Sequence, residues 1–153
     1  MPLQVVELSL PWMMESGAPM PTLSFNGNSD LSVSYWEADS DDQRRIVLRF
    51  PSCQQFIFGY PNDEALPGHP LYSFGLNNYG LFEVHGSDWD RRLRLQNQVS
   101  FPRTDLETPN VLRHFIVTFH DETLEALARG VDASLLESKS VAPEDGTIEW
   151  TSF

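Results

Sequence analysis

This chain of 153 residues is poor in cysteine and lysine and has no long apolar run. Its one cysteine, Cys53, cannot form a disulfide within the chain. No apolar run approaches the roughly 20 residues that a membrane-spanning helix needs, and the first residues lack the charged and apolar regions of a secretory signal. These absences exclude a disulfide-rich scaffold and predict a cytoplasmic protein without a membrane partner.

Positive charge is also scarce, because 22 acidic residues face ten basic ones and the formal net charge is −12. Nucleic acid would repel such a chain unless its basic residues were gathered on one face. The nearest gathering is Arg91, Arg92 and Arg94, and Asp88 and Asp90 flank it. No nucleic-acid partner is therefore predicted. A basic protein partner would be attracted, although the acidity can equally serve solubility alone.

Motifs that hold cofactors or metals are missing as well. The sequence contains no G-x-S-x-G, G-x-G-x-x-G, P-loop, H-E-x-x-H or paired C-x-x-C pattern. Cys53 lies among apolar residues, and no local group would lower the pKa of its thiol, so it is predicted to be buried and inert. No cofactor and no metal are predicted.

Strand patterns dominate the chain. They occur at Val5–Leu10, Leu31–Trp36, Arg45–Phe50, Gln55–Tyr60, Gly80–His85 and His114–His120, with a last possible strand at Thr147–Thr151. The second and third of these resemble a hairpin. Ser87 is a plausible cap for one helix, and residues 122–129 are predicted to form a second helix that ends at Gly130. The predicted fold class is α+β, a curved, mostly antiparallel β-sheet with two short helices in a single domain.

Two segments are predicted to be irregular. Residues 1–30 form an N-terminal segment in which Trp12, Met13 and Met14 can cap a pocket or a partner surface. Residues 61–79, called the long loop below, are interrupted by prolines and glycines. Long irregular stretches in compact proteins are often functional, so the long loop is a candidate binding segment.

The strand at His114–His120 carries polar side chains on one face. Alternation places there His114, Ile116, Thr118 and His120. The opposite face carries Phe115, Val117 and Phe119, which are predicted to be core. If the strand at Gly80–His85 shares the sheet, Glu83 and His85 are expected on the same surface as the two histidines. Such a surface can be a ligand-binding cleft or metal site, or the solvated side of an antiparallel sheet.

Catalytic candidates come from the end of that strand and from the long loop. His120 can act as a base or ligand that Asp121 or Glu125 orients, and His69 is held between Gly68 and Pro70. Asn62 and Asp63 suit a turn and can supply acceptors. We therefore expect His120 to contact Asp121, Glu125 or the loop. The candidate catalytic residues are His69, His120, Asp121 and Glu125, and the candidate ligand-binding residues are Asn62, Asp63, Glu83, His85 and His114.

Four stretches carry a resemblance: Phe58–Leu66, Gly68–Leu71, Tyr79–Val84 and Thr118–Asp121. They resemble a group of small uncharacterised bacterial proteins that have PNDE, GHPL and TFHD segments, and the similarity covers roughly residues 46–130. Where the group has a cysteine soon after the His-Asp pair, this chain has Ala126, which excludes a thiol mechanism there. The resemblance implies a cytoplasmic bacterial origin, and it does not indicate any particular activity.

Two functions remain open from the sequence. The first is a small acidic binding module, like an inhibitor or immunity protein, that engages a protein or small-molecule partner. The alternative is a small enzyme that uses histidine and carboxylate acid–base chemistry on a small metabolite. A pocket that holds both His69 and His120 would favour the enzyme, and a flat acidic face would favour the binding module.

Overall fold

The computed structural model describes residues 1–109, 111–137 and 149–153. Within these residues the chain forms ten strands, one α-helix and two 3₁₀ turns. The strands are β1 (Gln4–Glu7), β2 (Thr22–Phe25), β3 (Leu31–Trp36), β4 (Arg44–Phe50), β5 (Gln55–Gly59), β6 (Gly80–His85), β7 (Arg113–Thr118), β8 (Thr123–Ala128), β9 (Asp132–Glu137) and β10 (Thr151–Ser152). The helix is α1 (Trp89–Gln98), and the 3₁₀ turns are Leu66–Gly68 and Tyr72–Phe74.

The strands form two antiparallel sheets. Sheet I has the strand order β1-β6-β7-β8-β5, and sheet II has the order β10-β9-β4-β3-β2. The expectation of a mostly antiparallel sheet architecture is confirmed. The expectation of one curved sheet is wrong, because two sheets each bury one apolar face against the other.

The core between the sheets follows the alternation that the sequence predicts. Leu31, Val33 and Tyr35 of β3 are at most 1% exposed, and β4 pairs with β3 as the predicted hairpin. Aromatic rings join the two layers: Tyr35 contacts Phe119 with centroids 5.2 Å apart, and Phe50 contacts Phe115 at 5.7 Å. The predicted burial of the phenylalanine face of β7 is confirmed.

The predicted helix at residues 122–129 is wrong, since β8 occupies this stretch. Its Leu and Ala residues suit a helix locally, but β8 lies between β7 and β5 and forms backbone hydrogen bonds with both. Leu124, Ala126 and Ala128 alternate into the shared core, where they are fully buried. Tertiary pairing therefore overrides helix propensity here.

The outer face of sheet I, which points away from sheet II, is covered rather than solvated. The register of β6 and β7 places Val84 opposite His114 and Phe82 opposite Ile116 on this face. An apolar cluster buries it, and the long loop contributes to that cluster; its buried members are Val5, Leu66, Leu76, Phe82, Val84 and Ile116. The solvated-side interpretation is therefore wrong for this face.

The ends of the chain and α1 complete the fold. The N-terminal segment contains the short strands β1 and β2. β1 overlaps the first part of the predicted strand at Val5–Leu10. Residues 147 and 148 of the last predicted strand lie outside the described residues, and β10 begins at Thr151. The predicted helix after β6 is present as α1, which has ten residues. In the described part of the chain no helix is long and apolar enough to cross a membrane.

Candidate functional site

A buried polar network lies on the outer face of sheet I, with Glu125 of β8 at its centre. Glu125 Oε1 is 2.8 Å from His114 Nε2, and Glu125 Oε2 is 3.0 Å from His69 Nε2. The two histidine side chains are only 8% and 7% exposed. One carboxylate thus binds two imidazoles that come from β7 and from the long loop.

The hydrogen bonds of this network have a consistent direction. The backbone N–H of Leu71 donates to His69 Nδ1 at 3.0 Å, so His69 Nε2 carries the proton and donates to Glu125. His114 Nδ1 is 2.8 Å from Ser87 Oγ, and its Nε2–H donates to Glu125. Burial raises the pKa of Glu125, but the hydrogen bonds and charges of the two histidines outweigh it and lower the pKa to about 2. Glu125 is therefore ionised at neutral pH.

Local structure explains how these side chains are held. His69 ends the first 3₁₀ turn of the long loop, where its backbone N–H donates to Leu66. The ring of His114 packs edge-on against Trp89 of α1 with centroids 4.8 Å apart. Trp89 Nε1 donates in turn to Gln55 Oε1 at 2.6 Å. Helix, loop and sheet are tied together through one set of polar contacts.

A second polar group lies where β7 turns into β8. Asp63 Oδ2 is 2.9 Å from His120 Nδ1 and accepts a short hydrogen bond from Tyr79 Oη. The backbone N–H of Asp63 also donates to His120 O at 2.9 Å. The hydrogen bond from Tyr79 and the nearby His120 hold the pKa of Asp63 below its usual value, and the Asp63 carboxylate raises the pKa of Tyr79.

The expected contact between His120 and the long loop is confirmed through Asp63. Asp121 lies farther away, with its Oδ1 3.9 Å from His120 Nε2 and its side chain 76% exposed. Glu125 binds His69 and His114 rather than His120, because strand alternation turns it onto the outer face. No helix begins beside His120, so the predicted helix-end environment is absent there. His69 and His120 thus bind different carboxylates, Glu125 and Asp63.

Glu83 and His85 do not lie on the same face of sheet I as His114, contrary to expectation, although all three line one cavity at the edge of the sheet. The register places Glu83 opposite Phe115, on the face that points toward sheet II. Arg113 forms a bidentate ion pair with Glu83 at 2.7 and 2.8 Å, and this pair lowers the pKa of Glu83. His85 Nε2 is 3.6 Å from Glu83 Oε1. The Glu83 carboxylate is therefore already paired with Arg113.

Asn62 shapes the start of the long loop. Its Oδ1 accepts a hydrogen bond from the backbone N–H of Ala65 at 2.9 Å, which confirms the predicted turn. Next to this turn, Thr123 Oγ1 donates to Pro61 O at 2.9 Å and ties the loop to β8. Asn62 therefore positions Asp63 and the following 3₁₀ turn.

A cleft of about 510 Å³ lies under the N-terminal segment. Three carboxylates line it, Glu7, Glu15 and Asp39, and none of its described lining residues is Lys, Arg or His. Aromatic and thioether groups complete the walls: Trp12, Met13, Met14, Tyr35 and Tyr79. The expectation that Trp12, Met13 and Met14 cap a pocket is confirmed.

Sequence reasoning missed three features of these sites. Ser87 was expected as the helix cap, but the N-cap of α1 is Asp88, and Ser87 Oγ contacts His114. Tyr79 was not expected beside Asp63, nor were the carboxylates of Glu7 and Glu15 expected in one cleft. Each feature depends on how separate segments of the chain fold against one another, and no local pattern signals it.

The described residues contain no cluster that could hold a metal ion, and the comparisons found no similar protein. Among residues 1–109, 111–137 and 149–153, no set of three or more His, Cys, Asp or Glu side chains is arranged to hold a metal ion. Comparisons with protein-family models, with curated proteins and with solved structures found no match to this chain. The resemblance stated from the sequence stays a prediction.

Proposed function

We propose that this protein is an acidic binding module whose N-terminal cleft receives a cationic side chain of a basic protein partner. The observation that carries the proposal is the composition of the cleft, which combines three carboxylates with aromatic walls and has no basic residue among its described lining residues. Carboxylates attract a cation over distance, and aromatic faces hold it at contact. The net charge of −12 extends this attraction to the whole molecule.

Exposed apolar side chains beside the cleft favour a protein over a small solute. Met13 is 77% exposed at the cleft, and Met20, which is 64% exposed, follows in the same segment. Flexible methionines on a surface adapt to the side chains of a partner protein. A lysine or arginine of the partner in the acidic cleft would speed association, and apolar contacts around the cleft would add affinity.

The proposal can be tested with a lysine hexapeptide as a model basic ligand. Titration calorimetry at about 0.15 M salt, where the Debye length is about 8 Å, compares the wild type with the triple variant Glu7→Gln, Glu15→Gln and Asp39→Asn. We expect the cleft variant to bind at least about tenfold more weakly, since it loses all three carboxylates of the cleft. Binding by the wild type should also weaken as salt is raised.

A matched triple variant separates the cleft from net charge. Glu64→Gln, Asp88→Asn and Glu107→Gln remove the same charge from exposed positions that do not line the cleft. This control should bind the peptide within about twofold of the wild type, because screened distant charges contribute little. Equal weakening in both triple variants, or no binding by the wild type, would refute the proposal.

A further inference from the structure

We propose that Ser87, His114 and Glu125 form a nucleophilic triad that hydrolyses small carboxylic esters. Ser87 Oγ lies 2.8 Å from His114 Nδ1, and His114 Nε2 lies 2.8 Å from Glu125 Oε1. A chain of two hydrogen bonds thus links a nucleophile to a base, and the base to a carboxylate that orients it. This inference is independent of the acidic N-terminal cleft, which has a different set of lining residues.

Proton positions in the network suit this role. In the neutral His114 ring whose Nε2–H donates to Glu125, the other ring nitrogen, Nδ1, accepts the proton of Ser87. His69 donates to the second carboxylate oxygen and fixes the plane of Glu125. Glu125 and His69 are thus positioning residues, while Ser87 and His114 would touch the reacting atoms.

Access to the nucleophile comes from a cavity of about 450 Å³ that both Ser87 and His114 line. A volume of this size suits a small molecule. Val84, Leu112 and Leu127 form the apolar part of the wall, and the lining carboxylates Glu83 and Asp90 are already paired with Arg113 and Arg94. An uncharged acyl group fits such a wall better than a charged one, which is why the proposed substrates are small neutral esters.

The start of α1 adds electrostatic support. The backbone N–H of Trp89 donates to Ser87 Oγ at 3.3 Å, and α1 begins at that residue. The partial positive charge of a helix N-terminus stabilises negative charge that develops on a nearby oxygen. This position therefore stabilises negative charge on Ser87 Oγ, which favours transfer of its proton to His114.

The reaction balances without any co-reactant except water. Ser87 Oγ adds to the ester carbonyl carbon while its proton passes to His114 Nδ1. The tetrahedral adduct expels the alcohol, which takes that proton, and an acyl group remains on Ser87. Water then attacks the acyl carbon and gives a proton to His114. Collapse releases the carboxylic acid, and His114 returns the proton to Ser87 Oγ.

The test uses the full chain with a fluorophosphonate, which labels activated serines with loss of fluoride, and with p-nitrophenyl acetate. We expect intact-mass analysis and peptide mapping to locate the label on Ser87. Ser87→Ala should lose the label and at least about 100-fold of the esterase rate. Ser100→Ala, at an exposed position just past the end of the same helix, should keep both.

A second variant covers the case in which Ser87→Ala does not fold. Glu125→Gln keeps the shape of the side chain and removes its charge, so it should slow the labelling of Ser87 while circular dichroism still reports a folded protein. An unlabelled Ser87 in the folded wild type would overturn the proposal. So would unchanged labelling in folded Glu125→Gln, or hydrolysis that persists in folded Ser87→Ala.

Discussion

Sheets I and II use their outer faces in different ways. The outer face of sheet I is covered by the long loop and α1, and its polar side chains bind one another in a buried network around Glu125. The outer face of sheet II carries half-exposed arginines that lie over tryptophans, Arg45 over Trp36 and Arg49 over Trp150. Covering a sheet on both sides thus forces its polar groups to find protein partners, whereas an open face lets water share them.

The largest predicted effect lies in the core that the two sheets share. Phe119→Ala should lower the free energy of unfolding by about 3–5 kcal/mol, because it empties a large buried volume. Phe119 is 1% exposed and its ring contacts Tyr35 and Phe58. Chemical denaturation measures the loss. Phe101→Ala is the control, since Phe101 is 64% exposed, and an equal loss in both variants would contradict the assigned core.

Local patterns predicted those parts of the fold that alternation determines. The bounds of β3 and β6 agree with the sequence prediction, because strict alternation or a run of β formers marks them. The stretch that forms β8 reads as a helix, since only pairing with β7 and β5 identifies it as a strand. Local sequence patterns predict the wrong element type where long-range strand pairing determines the structure.

The candidate sites were less predictable than the strands. His69 and Glu125 are 56 positions apart, and their contact depends on how the long loop folds over sheet I. The sequence predicted Glu83 and His85 on the same face as His114, and this was wrong. The register between β6 and β7 decides which faces coincide, and the sequence of either strand alone does not determine it. The contact of His120 with the loop was predictable because a strand end leaves backbone groups that need partners.

The second prediction sharpens the contrast through pH. The pKa of Glu125 is about 2 in the folded protein, below its ordinary value of 4.5. A depressed carboxyl pKa stabilises the fold above the unfolded pKa, and this stability is lost as pH falls from about 4.5 toward 2. At 1.4 kcal/mol per pKa unit, the loss is on the order of 3 kcal/mol. Unfolding of Glu125→Gln should therefore depend less on pH in this window than unfolding of the wild type.

Denaturation curves at several pH values between about 2 and 6 measure this difference. Glu107→Gln serves as the control, because Glu107 is exposed and lies outside the network. Its pH profile should follow that of the wild type. A wild-type slope that survives in Glu125→Gln would show that other carboxyl groups carry the acid sensitivity.

The third prediction concerns how the long loop fits over sheet I. Gly75 has a φ of +118°, and a Cβ atom at this position would lie 2.5 Å from Val5 O of β1. Gly75→Ala should lower the free energy of unfolding by about 1–3 kcal/mol through backbone strain and displacement of the loop. Gly68→Ala in the same loop is the control, since nothing lies within 4 Å of its Cβ position. It should be neutral or slightly stabilising, and equal losses would argue against this loop packing.

The smallest predicted effect belongs to the open face of sheet II. Arg49 donates to Asp132 Oδ2 at 2.8 Å and lies over the Trp150 ring at 4.3 Å, but its side chain is 38% exposed. Water competes for both contacts, so Arg49→Ala should cost no more than about 1 kcal/mol, with a cost that shrinks further as salt is raised. Thermal melts at low and high salt measure it. A loss as large as that of Glu125→Gln at neutral pH would break the comparison, because it would mean that the open face is as dependent on its polar contacts as the covered one.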